Sequence, residues 1–225
     1  MSKVKNPKEG FQFYKAKTVP SSEQVSDSKS FYEQMNQRRS VREFSNKEIP
    51  GGVLENIIKT ASTAPSGAHK QPWFFAVIRS AEMKKKVREA AEKEEYENYN
   101  GRMSDDWLKD LAKFDTDWNK PFLEIAPALI VVFKQTFEVI DGEKAKNYYV
   151  NESVGIATGM LISAIHNAGL VTLTHTPSPL NFLAEILNRP SNEKPYLLLP
   201  VGYPEEDAQV PILGRKGLEE VMKIY

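Results

Sequence analysis

Two short motifs carry the side chains in this sequence that are best suited to hold a charged ligand. The first places three arginines within five positions, Arg38, Arg39 and Arg42. Arginine guanidinium groups are planar, permanently charged forks that bind phosphate oxygens in pairs. The second motif, residues 64–73, contains a Pro-Ser-Gly turn whose hydroxyl and backbone N–H groups can face the polar edge of a ring. Together the motifs predict a site for a phosphate-bearing ring compound, although the arginines alone fit a helix C-terminus or a small basic patch equally well.

The composition argues against several classes of protein. Thirty basic and thirty acidic residues cancel, so no overall field attracts nucleic acid or an anionic membrane. The absence of cysteine excludes disulfides, thiolate metal ligands and cysteine nucleophiles, and it fits a reducing, cytoplasmic compartment. The three histidines, His69, His166 and His175, have no metal-ligand spacing, so no metal site is predicted. The first thirty residues are polar and lysine-rich, so we expect them to be neither a secretory signal nor a membrane anchor.

The hydrophobic pattern divides the chain into an arm and one domain. Residues 1–30 contain prolines and a serine-rich run, which predict an extended N-terminal arm that lies on a partner subunit. From residue 31 to 225, helical periodicities alternate with short apolar runs, so we predict a single domain that combines helices and strands. Apolar runs predict strands at residues 73–78, 128–133, 170–174 and 196–203. Helical periodicity predicts helices near residues 53–61, 81–99, 107–118 and 153–168, the last of them in the core or at a dimer interface.

Several segments also give the chain a family resemblance. The motifs RRSVREF, TAPSGAHKQPWFFAVI, NESVGIATGMLISAIHNAGLVTLTHTP and LLLPVGYP closely resemble the nitroreductase superfamily, over roughly residues 30–222. The resemblance implies an α+β, nitroreductase-like FMN-binding fold over residues 31–225, with a central mixed β-sheet flanked by helices, in an intertwined homodimer. The segments EEYENY and DWNKPF further resemble the lid of its iodotyrosine deiodinase branch, the halotyrosine dehalogenases. This resemblance implies the FMN-dependent reductive dehalogenation of halogenated tyrosines, with a general NAD(P)H-dependent nitroreductase or flavin reductase as the alternative.

The resemblance also implies which residues contact the flavin. Thr176 is the expected catalytic residue, because its hydroxyl would lie beside the reactive nitrogen of the flavin's central ring. His175 departs from the threonine expected at its position. Threonines at alternate positions of a strand pack well without any functional role, so a purely structural interpretation stays open. The expected cofactor contacts are Arg38, Arg39, Ser40, Arg42, Pro65, Ser66, Thr174, His175, Thr176 and Arg215, with Ser66 contributed by the other subunit.

A halotyrosine substrate would need opposite charges on the protein, since its carboxylate and ammonium must both be paired once water is excluded. Glu95 and Tyr99 lie four residues apart on one face of a predicted helix, and Lys120 follows the next predicted helix. By spacing alone, a solvated, salt-bridged surface is the better interpretation of Glu95 and Lys120. The resemblance instead assigns all three residues to the substrate, and assigns the backbone N–H of Ala68 to its phenolate oxygen.

No motif identifies the electron donor. The chain has no G-x-G-x-x-G after a predicted strand, which favours a separate NAD(P)H-dependent reductase, although the superfamily binds nicotinamide without that motif. A non-catalytic flavin or halotyrosine binding protein is a further alternative, because the same contacts would serve without turnover.

Overall fold

The computed structural model describes residues 7–225, which divide into two compact units. The first unit ends at Gln37 and contains one helix, α1 (Ser21–Asn36), on which no residue is buried. The extended conformation predicted for residues 1–30 is therefore wrong from Ser21 onward. Residues 21–36 contain neither glycine nor proline, so the serine-rich run is able to form a regular helix. Residues 1–6 of the predicted arm lie outside the described residues.

The second unit runs from Arg38 to Tyr225 and contains seven further helices and six strands. The helices are α2 (Val53–Ala61), α3 (Ala81–Glu97), α4 (Asp105–Ala112), α5 (Phe122–Ile125), α6 (Val150–Asn167), α7 (Phe182–Ile186) and α8 (Leu218–Val221). The strands are β1 (Trp73–Ile78), β2 (Ala128–Gln135), β3 (Phe137–Ile140), β4 (Glu143–Lys146), β5 (Val171–Thr172) and β6 (Glu193–Gly202). A 3-10 turn (Gly67–His69) and a π-helical turn (Asn98–Arg102) complete the regular structure of this unit.

Four strands form the central sheet in the order β1-β2-β6-β5, and every neighbouring pair is antiparallel. The strand register shifts between Val132 and Phe133, where β6 contributes one extra residue. The central sheet is antiparallel and not mixed as predicted, and a parallel bridge joins Ser40, which lies outside the named strands, to Thr172 of β5. The bridge matters for the site because it anchors the arginine motif to the sheet.

Helices cover both faces of the sheet. The first six residues of β2 are all buried, which accounts for the uninterrupted apolar run in its sequence. Because side chains alternate along a strand, Ile130 and Val132 pack with α2 and α6. Leu129 and Val131 face the opposite layer and pack with α3, α5 and α7. The predicted strands thus form the centre of the domain, and the loops at their ends position the candidate site.

Helix α6 lies in the core, as its sequence predicts. Its buried residues include Ala157 and Leu161, which pack against the sheet. The helix ends where Gly169 takes a left-handed backbone conformation with φ of 71°, and the N–H of Leu170 returns to the carbonyl of Ile165 at 3.1 Å. No helix within residues 7–225, α6 included, is long and apolar enough to cross a membrane.

The structure departs from the predicted elements in the lid region and at one hairpin. The predicted helix over residues 81–99 ends at Glu97 and continues as the π-helical turn, which contains Tyr99. The next helix ends at Ala112, and the left-handed backbone of Asp115 (φ 46°) breaks the apolar periodicity that predicted its continuation. Strands β3 and β4 form an unpredicted hairpin, whose Asp-Gly turn at residues 141–142 has positive φ at both positions.

Candidate active site

An arginine-lined cleft of about 150 Å³ is built where the arginine motif runs beside β5. The parallel bridge and a hydrogen bond from the Val41 N–H to the Thr172 carbonyl (3.3 Å) hold the motif in place. Arg215 donates from Nη2 to the Arg38 carbonyl at 3.0 Å, which joins the late segment to the motif. The residues that line the cleft are Arg38, Arg39, Ser40, Arg42, Phe114, Pro211, Leu213, Gly214 and Arg215.

The cleft concentrates positive charge that is partly removed from water. Burial lowers the pKa of Arg38, and the neighbouring charges of Arg215 and Arg39 lower it further. Burial also lowers the pKa of Arg42, whose guanidinium carbon lies 5.2 Å from the centroid of the Phe114 ring. An anion in the cleft would relieve this mutual repulsion and supply hydrogen-bond acceptors. The donor set therefore fits a phosphate group, as the sequence predicts.

Three of the four residues predicted to bind the substrate form one cluster, in which Glu95 and Lys120 are buried and Tyr99 is half-buried. Glu95 and Lys120 are 6% and 4% exposed, so the solvated-surface interpretation of these two residues is wrong. The Nζ of Lys120 donates to Thr116 Oγ1 at 3.0 Å and to the carbonyl of Asp117, and it lies 5.3 Å from the centroid of the Tyr99 ring. The Tyr99 hydroxyl in turn donates to the Thr116 carbonyl at 3.1 Å. The loop after α4 therefore closes around the end of α3.

The charges of this cluster act on one another. Burial raises the pKa of the Glu95 carboxyl, and the Lys120 ammonium opposes that rise. Burial lowers the pKa of Lys120, and the Glu95 carboxylate opposes that fall. Burial and Glu95 together raise the pKa of Tyr99. A zwitterion that brought a carboxylate to Lys120 and an ammonium to Glu95 would offset the desolvation of both groups.

The π-helical turn attaches this cluster to the segment that carries the predicted threonines. Asn98 Nδ2 donates to the Ser178 carbonyl at 2.9 Å. Arg102 Nη1 donates a hydrogen bond to Glu94 Oε2 at 2.6 Å, and this bond connects the exposed side of the turn to the end of α3. The backbone N–H of Lys120 donates to a Glu92 carboxylate oxygen at 2.7 Å, so the far end of the lid loop is also tied to α3.

Residues 174–176 lie next to both parts of the site. His175 pairs through its backbone with Leu198, at 2.8 and 3.1 Å, and its side chain is buried. Thr174 and Thr176 are exposed on either side of it, so their hydroxyls are available to a ligand. Burial, followed by the charges of Lys120 and Arg42, lowers the pKa of His175 to about 3. The histidine that departs from the family pattern is thus a neutral group beside two cations.

The segment with Pro65, Ser66 and Ala68 occupies a different place. None of these three residues lines the arginine cleft. The loop packs instead on the start of α6, where the Gly67 N–H donates to Ser153 Oγ at 3.3 Å. Ala68 is exposed and takes a left-handed conformation (φ 49°, ψ 29°), a strained geometry for a residue with a side chain. A single chain therefore does not bring all of the predicted flavin and substrate contacts together.

A larger groove of about 1360 Å³ lies elsewhere on the second unit. Charged side chains of both signs line it, among them Lys47, Glu48, Arg88 and Glu205. None of the predicted site residues lines this groove. Size alone thus does not identify the functional site, which the smaller arginine cleft and the adjacent buried cluster define by their chemistry. Within residues 7–225, no three histidine, aspartate or glutamate side chains are grouped so as to hold a metal ion.

Three contributors to the site were not predicted from the sequence. Asn98 lies between two predicted residues, but an asparagine in a charged helix gives no distinctive signal. Thr116 lies four residues before Lys120, a spacing that would indicate a contact only if this segment were helical. Phe114 was placed on an amphipathic helix, whereas the structure places it against Arg42 in the cleft.

Comparison with known proteins agrees with this geometry. The nitroreductase family model matches residues 35–203. The iodotyrosine deiodinase of Haliscomenobacter hydrossis is 63% identical over 204 residues, which cover 90% of this chain and 92% of that protein. Iodotyrosine deiodinase 1 of Mus musculus is 50% identical over 207 residues, which cover 90% of this chain and 72% of that protein. The chain belongs to the nitroreductase family.

The solved structures support the same assignment of the fold. A crystal structure of oxidized iodotyrosine deiodinase, bound to FMN and 3-iodo-L-tyrosine, superimposes with a TM-score of 0.73 at 30% sequence identity. The alignment covers 83% of this chain and 96% of that one. The predicted nitroreductase-like fold is therefore confirmed.

Proposed function

We propose that this protein is an FMN-dependent iodotyrosine deiodinase, which converts 3-iodotyrosine to tyrosine and iodide. The observation that carries this proposal is the cluster of buried Glu95 and Lys120 with half-buried Tyr99, close to an arginine-lined cleft. A reductase of apolar nitroaromatics has no need of a buried carboxylate and ammonium, whereas an amino acid substrate requires both. The 63% identity to the deiodinase of Haliscomenobacter hydrossis supports the same substrate class.

The cofactor's phosphate is assigned to the cleft. Arg38, Arg39, Arg42 and Arg215 bind the phosphate oxygens, and Ser40 adds a backbone or hydroxyl contact. The hydroxyls of the Thr174–Thr176 segment face the flavin ring, with that of Thr176 donating to its reactive nitrogen. When reduced, FMN supplies the two electrons of the reaction. The protein's own residues supply orientation and exclude water.

The substrate is held by opposite charges and oriented by its ring. Lys120 binds the carboxylate, Glu95 binds the ammonium, and Tyr99 contacts the same end of the molecule. The Ala68 N–H donates to the phenolate oxygen, which favours the ionised phenol. In the reaction the carbon–iodine bond breaks and iodide leaves. Two electrons and one proton replace it with a carbon–hydrogen bond, so tyrosine is formed.

We further propose that the working unit is a homodimer in which the partner supplies Pro65 and Ser66, along with Ala68. Apolar side chains left exposed on the second unit support this assembly, since Ile156 on α6 is half exposed and Ile212 near the C-terminus is fully exposed. The N-terminal arm is proposed to lie on the partner, because its aromatic side chains Phe11, Phe13 and Tyr14 are exposed. A monomeric mass by light scattering would contradict this assembly.

The remaining partners follow from chemistry that the chain does not itself provide. We propose a separate NAD(P)H-dependent reductase as the source of electrons, on the ground that no dinucleotide motif follows a strand. A cytoplasmic location is supported by the absence of cysteine from the sequence.

The test is dehalogenation under conditions that bypass the natural donor. Flavin-loaded protein is reduced anaerobically with dithionite and mixed with 3-iodotyrosine, and tyrosine and iodide are measured, with free reduced FMN as the control. We expect tyrosine to form only when the protein is present. Tight FMN binding with turnover of nitroaromatics, but no affinity for 3-iodotyrosine, would assign the protein to the general nitroreductases instead.

A further inference from the structure

His175 is turned inward between two residues that face outward. The two backbone hydrogen bonds to Leu198 give this segment the alternation of a strand, so adjacent side chains point to opposite sides. Thr174 and Thr176 are exposed, whereas His175 is 6% exposed. The imidazole is therefore placed on the protein side of the segment that faces the ligand.

The imidazole of His175 packs against the start of α5, two residues after Lys120. Its ring packs edge-on against Phe122, with ring centroids 5.7 Å apart at an interplanar angle of 86°. Phe122 begins α5, two residues after Lys120. Lys120 and Arg42 are also the charged groups that act most on His175. The residue thus lies behind both the cofactor cleft and the substrate cluster.

The Nε2 atom of His175 is buried without a hydrogen-bond partner among the described residues. A buried polar atom left unsatisfied is costly and uncommon in folded proteins. The nearby Lys120 ammonium has three N–H donors, and two of them bind Thr116 Oγ1 and the Asp117 carbonyl. One N–H donor of Lys120 and the Nε2 acceptor of His175 are therefore left without a partner among the described residues.

We propose that His175 is a positioning residue of the substrate site, whose Nε2 accepts a hydrogen bond from the Lys120 ammonium, directly or through one water molecule, when the substrate binds. The substrate carboxylate takes over one of the two N–H groups that bind Thr116 and Asp117, and the third N–H turns to His175. The ammonium is thereby fixed beside the residues that contact the flavin. This inference rests on the proposed function, since it needs a carboxylate at Lys120.

The experiment compares three flavin-loaded proteins, wild type, H175L and H175Q. Leucine keeps an apolar side chain of similar bulk against Phe122, and glutamine keeps an acceptor oxygen. We expect H175L to bind 3-iodotyrosine about tenfold more weakly than wild type, the loss typical of one hydrogen bond to a charged group. H175Q should recover most of that loss. Binding is measured by quenching of flavin fluorescence, with FMN affinity as a parallel readout that should stay unchanged in all three proteins.

A double-mutant cycle separates positioning through Lys120 from a purely structural role. In a Lys120→Met background, H175L should cause no further loss of 3-iodotyrosine affinity, because the hydrogen bond is already absent. H175L should also be at least as stable to heat as wild type, since it removes an unsatisfied polar atom. Should H175L fold poorly, H175T replaces it, because a threonine hydroxyl is too short to reach Lys120.

The outcomes distinguish this inference from the proposed function. Wild-type protein that binds 3-iodotyrosine no better than H175L or H175T overturns the role of His175 and leaves the function intact. Additive losses in the cycle would also overturn it. Wild-type protein that does not bind 3-iodotyrosine at all overturns the proposed function and this inference with it.

Discussion

The two halves of the candidate site hold charge in opposite ways. The arginine cleft gathers charges of one sign near the surface, where Arg215 is exposed and Arg38 is only partly buried. The substrate cluster buries one carboxylate and one ammonium, and each opposes the pKa shift that burial imposes on the other. The cleft attracts any anion of suitable size, whereas the cluster suits a ligand that carries both charges at once. The partly exposed cleft therefore provides affinity for the cofactor, whereas the buried cluster discriminates among substrates.

The largest predicted effect is the loss of substrate affinity, without loss of FMN affinity, when Lys120 is removed. In Lys120→Ala, the buried Glu95 loses its opposite charge and the substrate carboxylate has no cation to meet. Truncating one member of a buried charge pair costs about 2–5 kcal/mol, so we expect 3-iodotyrosine to bind at least about 30-fold more weakly. FMN affinity should stay within about twofold of the wild-type value, because the arginine cleft is untouched. Fluorescence quenching titrations measure both constants.

The matched control is Lys109→Ala. Lys109 lies on α4 of the same lid, but its side chain is 78% exposed and pairs at 3.5 Å with Asp106, which is 94% exposed. An exposed ion pair of this kind contributes little, so the control should bind 3-iodotyrosine as wild type does. Equal affinities in Lys120→Ala and Lys109→Ala would remove Lys120 from the substrate site.

A smaller effect should appear on the cofactor side in Arg38→Ala. Arg38 shares the cleft with three other arginines, so its loss should weaken FMN binding by only about tenfold. Riboflavin, which lacks the phosphate, should bind both proteins equally. Arg79→Ala, which removes an arginine that pairs with Glu48 away from the cleft, serves as the control. A parallel loss of riboflavin affinity would indicate that Arg38 supports the fold instead of the phosphate.

The sequence predicted these two halves unequally well, for a physical reason. The residue types and spacing of Arg38, Arg39 and Arg42 predicted an anion site, but no local pattern predicted that this motif would lie beside β5, a strand of two residues. The burial of Glu95 and Lys120 depends on contacts between α3 and a loop more than twenty residues later, and spacing alone indicated a solvated surface. Family resemblance, not periodicity, identified that pair. The π-helical turn and the early end of α4 were missed because both interrupt an apolar pattern that continues beyond them.

The N-terminal segment and the β3–β4 hairpin teach a related lesson. Serine and charge in residues 21–30 suggested an extended arm, but composition does not prevent a helix when glycine and proline are absent. The hairpin did have a local signal, the Asp141-Gly142 pair, which favours the tight turn observed there. Its strands have too few buried residues to produce a strong apolar run.

The last predicted effect concerns stability and pH instead of affinity, and it tests His175, the residue that adjoins both halves of the site. The pKa of His175 is about 3 in the folded protein and 6.5 in an unfolded chain. Between these values the unfolded chain binds more protons than the folded protein, so the folded state loses stability as the pH falls from 6.5 toward 3. Below about pH 5.5, wild-type protein should therefore lose about 1.4 kcal/mol more per pH unit than His175→Thr, and less than that between pH 6.5 and 5.5. Urea unfolding of both flavin-loaded proteins at pH 6.5, 5.5 and 4.5 measures this difference, since the titrating carboxylates common to both cancel. Parallel stability curves would mean that the imidazole is protonated in place, and hence that its surroundings are wetter and less cationic than the structure describes.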